Sequence, residues 1–195
     1  PLRVVPPCPH VAAGCGGCDL QHLAVPSQLP FKVEVVADAL RRLGRIDDPP
    51  VHPGAAVDAV GHRTTLRLGV DGGGRPGFRR RASHEVEVVD DCLVAHPRLV
   101  ELLGARFEGA HEVVLRASVA TGERLVVVDP GAGGGTGLPA DVVVVGRDEL
   151  DEGTAVAITE VVRGQHLRVS ADSFFQSGPA AAAPGTPRRA RVRSA

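Results

Sequence analysis

Four cysteines constrain this chain more than any other feature. Cys8, Cys15 and Cys18 fall within eleven residues, spaced x6 and x2, and Cys92 stands far downstream; the chain has no other thiol. Among the Gly and Pro of residues 1–25, the triplet reads as an irregular loop shaped by what its cysteines bind. Three thiolates on such a loop can face one centre, and a remote fourth ties that loop to the body. Thiolates suit Zn²⁺ and iron–sulfur clusters alike. Structural zinc more often uses two close pairs, so a triplet plus one distant ligand leans toward a cluster. Disulfides are the third alternative, in a chain with no mark of secretion. His10, two residues past Cys8, is read as a neighbour rather than a ligand.

The 195 residues suffice for one domain, or one domain with a small module. No apolar run approaches the roughly 18 residues of a membrane span, and the N-terminus lacks a signal-peptide hydrophobic region. The chain therefore reads as soluble and cytoplasmic, with no membrane or DNA partner expected. It contains no methionine, so the sequence reads as a fragment. Its cations are 21 arginines and one lysine, Lys32, a bias that with Ala, Val and Gly points to GC-rich coding. Five Phe are the only aromatics, which leaves few stacking options.

A helix is expected from Ser27 to Leu43, with Leu29, Val33, Val36, Ala37, Leu40 and Leu43 along one face and Ser27 as N-cap. A hairpin is expected from Thr64–Val70 and Glu85–Val89, and a short helix after Pro97. A second hairpin pairs Glu112–Val119 with Glu123–Asp129, and strands follow at Val142–Val145, Ala155–Val162 and His166–Ser170. The fold class is α+β: a mixed, mostly antiparallel central domain over 26–176, preceded by the Cys-rich loop of 1–25. Residues 177–195 read as a disordered Ala/Pro/Arg-rich tail.

Between Gly61 and His84 lie Arg63, Arg67, Arg75, Arg79, Arg80 and Arg81 against the single acid Asp71. That local +5 sits in a body of net −5 once the four arginines of the tail are set aside. Such polarity fits a polyanion site on Arg63, Arg67, Arg79, Arg80 and Arg81, with Phe78 placed to stack on an unpaired base. The alternative is a solvated hairpin with Phe78 in the core.

The stretches CPHVAAGCGGCDLQHL, QLPFK, LRRLG, GHRTTLRLGV, GFRRRASHEVEVVDDCLVAHP and LRVSADSFFQ occur in the order seen in one family. Over residues 4–176 the chain resembles the iron–sulfur-containing RNA (uracil-5-)-methyltransferases, most closely those acting on 23S ribosomal RNA. The x6 spacing is one residue longer than a common form of the motif. The resemblance implies a [4Fe–4S] cluster on Cys8, Cys15, Cys18 and Cys92, and RNA, ribosomal rather than transfer RNA, as partner of the central domain. It implies that Gln176 belongs to the site for S-adenosylmethionine, the methyl donor of the complete enzyme. It also implies a Rossmann-like domain after SFFQ, with a cysteine that adds to uracil C6 and a base that removes the C5 proton. A small β-barrel TRAM domain commonly precedes the cysteines, and residues 1–7 could be its end.

The run LVVVDPGAGGGTG resembles a strand entering a cofactor loop. Only Leu138–Ala140 separate its glycines from the next strand, too few for the required helix. It is read as a flexible hairpin loop. With no cysteine, Asp or Glu after Gln176, the isolated chain is expected to be catalytically inactive. Because methyl transfer to an enolate-like carbon needs no electron, the cluster is expected to act as a structural pin. A stand-alone RNA-binding module stabilised by zinc or a cluster, without enzymatic activity, is the alternative function.

Overall fold

The two most apolar strands are buried on both faces, and the rest of the chain is arranged to cover them. In the computed structural model, which describes residues 2–131 and 134–178, these are β4 (Glu112–Ala117) and β5 (Arg124–Asp129). Side chains alternate across a pleated sheet. Val113, Leu115, Val126 and Val128 therefore enter one core, while Val114, Leu125 and Val127 enter a second on the opposite face.

Around this pair the sheet has the order β3-β2-β1-β4-β5-β6, with β1 (Thr65–Val70), β2 (Pro76–Arg79), β3 (Val86–Val88) and β6 (Val142–Gly146). All neighbours run antiparallel except β5 and β6. Leu66 and Leu68 of β1 join the first core with Leu99, Leu102 and Phe107, which follow or lie within the short helix α3 (Pro97–Val100). A separate hairpin, β7 (Ala157–Val162) and β8 (Gln165–Ser170), brings Ile158 and Val169 onto the second core. Before it, α4 (Arg147–Asp151) follows β6 directly. Mixed α+β architecture with a mainly antiparallel sheet is as expected.

Three local readings need correction. The stretch Thr64–Val70 does not pair with Glu85–Val89. The GFR segment between them is itself a strand, making a three-stranded meander. Gly77 permits it, because a Cβ there would lie 2.1 Å from the Glu87 carbonyl oxygen. The segment after β5 is not a hairpin loop, since β6 runs parallel to β5 from Arg124↔Val142 onward. Its described residues return along the sheet in contact with the core. Arg106 and Thr136 exchange two backbone hydrogen bonds, and Leu138 packs on the first core. Two residues of this segment, 132 and 133, lie outside the described residues, as does tail segment 179–195.

The third concerns the long helix, α2, which spans Val25–Arg42 and starts two residues before Ser27. Ala24 is its N-cap, without a side-chain bond, and the Ser27 N–H donates to the Ala24 carbonyl at 2.8 Å. Pro26 opens the helix, where a missing N–H costs nothing. Only Ala37 of the expected apolar face is fully buried; Val36 and Leu43 are exposed. Among the described residues no helix is long and apolar enough to cross a membrane.

Candidate functional site: a cysteine-lined cavity clamped by arginines

The cysteine loop has little regular structure beyond the single turn α1 (Pro9–Ala12), so its backbone groups must find partners elsewhere. They find them at the end of β2. Cys15 forms an isolated antiparallel bridge with Arg80. Gly16 N donates to the Arg79 carbonyl at 3.0 Å, and Arg81 N donates to the Gly14 carbonyl at 3.3 Å. Glycine is required at 16, where a Cβ would lie 2.5 Å from the Arg79 oxygen. Gly17 in turn lies against the Phe78 ring.

Side chains complete the clamp. Arg63 Nη1 donates to the Gly17 carbonyl at 2.9 Å and Arg81 Nη2 to the Cys18 carbonyl at 2.6 Å. The Gln21 side-chain oxygen accepts from Cys8 N at 3.2 Å. Cys92 arrives from the segment after β3, its N–H donating to Asp91 Oδ1 at 2.7 Å.

These constraints bring all four cysteines to the wall of one cavity of about 10 Å³, together with Phe78 and Val89. All four are free thiols, and Cys8, Cys15 and Cys92 are buried. Burial pushes the Cys15 and Cys92 thiols up. The Gly17 N–H acts against this at Cys15, and those of Val94 and Ala95 at Cys92, while the other three cysteines add to the rise at Cys15. Crowded thiolates repel one another, so this donor set is satisfied only by protonation or by a shared cationic core. Among the described residues no three Cys, His, Asp or Glu side chains are drawn together to hold a single metal ion. Four thiols lining one cavity are a donor set that could hold a thiolate-bound metal group. His10 faces Glu87 at 3.9 Å and Asp90 at 3.6 Å.

Four arginines of the basic segment are ion-paired, one with Asp71 inside it and three with acids outside it. Arg67 pairs with Glu112, Arg75 with Asp71, Arg80 with Glu85 and Glu87, and Arg81 with Asp19. Arg79 is exposed and has no ion pair among the described residues. Phe78 is half-buried between Gly17 and the first core, so its ring is turned inward and the stacking role expected of it gives way to packing. The surplus read from this segment counted only residues near in sequence, whereas the acids that meet it come mostly from β3, β4 and the cysteine loop.

Gln176 is exposed where the described chain ends, between two anchors. Phe175 packs on the second core, and the Ser177 carbonyl accepts from Thr64 N at 2.5 Å. Upstream, the buried Arg116 of β4 donates to the Ser170 and Ser173 carbonyls at 3.3 and 2.7 Å. Arg116 escaped the sequence reading. Its one signal is a charged residue inside the apolar run of β4.

No protein-family model matches the chain. Its relatives nevertheless define a class. It is 33% identical over 202 residues to an uncharacterized RNA methyltransferase of Streptomyces avermitilis, covering 92% of this chain and 47% of that protein. A solved structure, the tRNA (uracil-54, C5)-methyltransferase of Pyrococcus abyssi in complex with S-adenosyl-L-homocysteine, superposes with TM-score 0.55 at 25% identity. The match covers 92% of this chain and 48% of that one. More particularly, the chain is 44% identical over 105 residues to the 23S rRNA (uracil(1939)-C(5))-methyltransferase RlmD of Halomonas elongata, covering 52% of this chain and 21% of that protein. Its homologues are thus RNA methyltransferases, and those with a named target act on uracil C5. The chain spans less than half the length of these relatives.

Proposed function

We propose that this chain is the metal-cluster and RNA-recognition portion of an S-adenosylmethionine-dependent RNA (uracil-5-)-methyltransferase acting on ribosomal RNA in the cytoplasm. The observation that carries the reading is the meeting of Cys92 with Cys8, Cys15 and Cys18 around one cavity, from two stretches far apart in sequence. Cys8, Cys15, Cys18 and Cys92 would hold a [4Fe–4S] cluster, which supplies a rigid cross-link between the N-terminal loop and the central sheet. The residues themselves do the orienting. Arg63 and Arg81 fix the loop carbonyls, β2 fixes its backbone, and Phe78 shields the sulfurs from water.

RNA binding falls first to Arg79, exposed with no ion pair among the described residues. Arg67 and Arg80 join it where a phosphate outbids their carboxylate partners. Gln176 would contribute to the methyl-donor site. The 195 residues hold no cysteine beyond the four assigned to the cluster, so by themselves they are expected to bind RNA without methylating it.

Anaerobic reconstitution with iron and sulfide tests the reading. A brown protein with absorption near about 400 nm, bound iron, and loss of both in Cys92→Ser is the expected result. A colourless chain that takes up one equivalent of zinc in place of iron would favour the zinc-stabilised module.

A further inference from the structure

A second and larger cleft, about 530 Å³, opens between α2, the stretch Cys18–Gln21 and the segment around Ala55–Arg63. Cys18 borders both this cleft and the four-cysteine cavity. Its volume lies within the range that accommodates a small organic ligand, about 300–1,000 Å³. Lys32, His62, Arg63 and Gln28 are among its lining residues.

Lys32 is the one lysine in a chain that otherwise uses arginine for every cation. A single retained lysine under that bias marks a place for a compact ammonium rather than a planar fork. Among the described residues it makes no ion pair. Arg63 spends one nitrogen on Gly17 and is also a lining residue of the cleft. Of the two acids that line the cleft, Asp19 is largely exposed and lies 3.7 Å from Arg81. That leaves Asp58 against Lys32 and Arg63, a surplus of one positive charge, equal and opposite to a phosphodiester. Burial first, then Arg63 and Lys32, push the His62 imidazole down against the opposing pull of Asp58, and its Nδ1 is buried with no hydrogen-bond partner among the described residues. A ligand donor that turns the ring would meet that demand.

We infer that this cleft receives one unpaired nucleotide of an RNA strand, with the phosphodiester on Lys32 and Arg63 and the base along His62 and Gln28. The inference rests on the RNA-binding reading above and gives it a location that the arginine triplet does not.

Fluorescence anisotropy with a labelled single-stranded oligouridylate tests it, with uridine monophosphate as a competitor. Lys32→Glu is expected to weaken binding about tenfold and to lower the salt slope by about one. Lys32→Ala should weaken it less, with the melting temperature of both variants unchanged. The His62 imidazole signals in NMR should shift on addition of the oligonucleotide, and the monophosphate should compete weakly. RNA binding that survives Lys32→Glu, with a silent His62, would overturn the cleft and leave the RNA reading standing. A His62 shift with the monophosphate but no affinity for RNA would keep the nucleotide site and sink the RNA reading. Silence of His62 toward both ligands would dismiss the cleft.

Discussion

The cysteine loop and helix α2 are adjacent in sequence and opposite in their relation to the fold. The loop has one helical turn, yet it is bound to the end of β2 by a bridge of two backbone hydrogen bonds and held further by two arginine side chains. Helix α2 spans eighteen residues, interrupted in its backbone donors only by its prolines, and buries only Ala37 completely. A helix satisfies most of its own backbone, so nothing compels it to seek partners. An irregular loop cannot leave buried N–H and C=O groups unpaired, so it becomes stitched to whatever lies beside it. Regularity and anchorage are separate properties, and here they run in inverse order.

The strongest way to break this contrast is to remove a stitch. Gly16→Ala puts a methyl 2.5 Å from the Arg79 oxygen, where the obstacle is backbone and cannot swing aside. A loss of about 1–3 kcal/mol is expected in chemical denaturation, of the size found for overpacking, together with failure to take up iron. Normal iron loading would show that the strand-like pairing of the loop is incidental. Arg63→Gln comes next, since it deletes a charge-assisted bond to a half-buried carbonyl, of order 1.5–3 kcal/mol. Arg81→Gln should cost less, about 0–1 kcal/mol, because its ion-pair partner Asp19 is 89% exposed. Both should speed bleaching of the iron chromophore in air and amide exchange over Gly14–Gly17, Arg63→Gln more than Arg81→Gln. The reverse order would mean that exposure is a poor guide to grip in this loop.

Much of this was legible in the amino-acid order because it is local. Short apolar runs set off by turn residues mark β4 and β5, β7 and β8 show the same strand composition, and the cysteine spacing marks an irregular loop with Cys92 as its distant counterpart. What stayed hidden depends on residues distant in sequence. Glu112 sits across the sheet from Arg67, and Asp19 reaches Arg81 from the N-terminal loop. No count of neighbouring charges could reveal either pair. The parallel course of β6 was also hidden, because parallel and antiparallel returns share the same strand composition. Its register at Arg124↔Val142 is locked by Arg124, buried between Asp141 and Glu101. The start of α2 was missed for a different reason. Ser27 is the better capping residue, but Pro26 favours the first turn and so moves the start upstream to Ala24.

The weakest effect is expected on the other side of the contrast. Val36 and Leu43 of the apolar face of α2 are 49% and 85% exposed, so replacing either with serine removes little buried area. Each change should stay within about 0.5 kcal/mol of the parent in denaturant titration, and iron loading should be unaffected. Substitution at Ala37 with a larger side chain should cost more, because that residue is only 5% exposed. If Leu43→Ser destabilised the chain by more than about 1 kcal/mol, the helix would be gripping the fold along its whole length, and the inverse ordering of regularity and anchorage would fail.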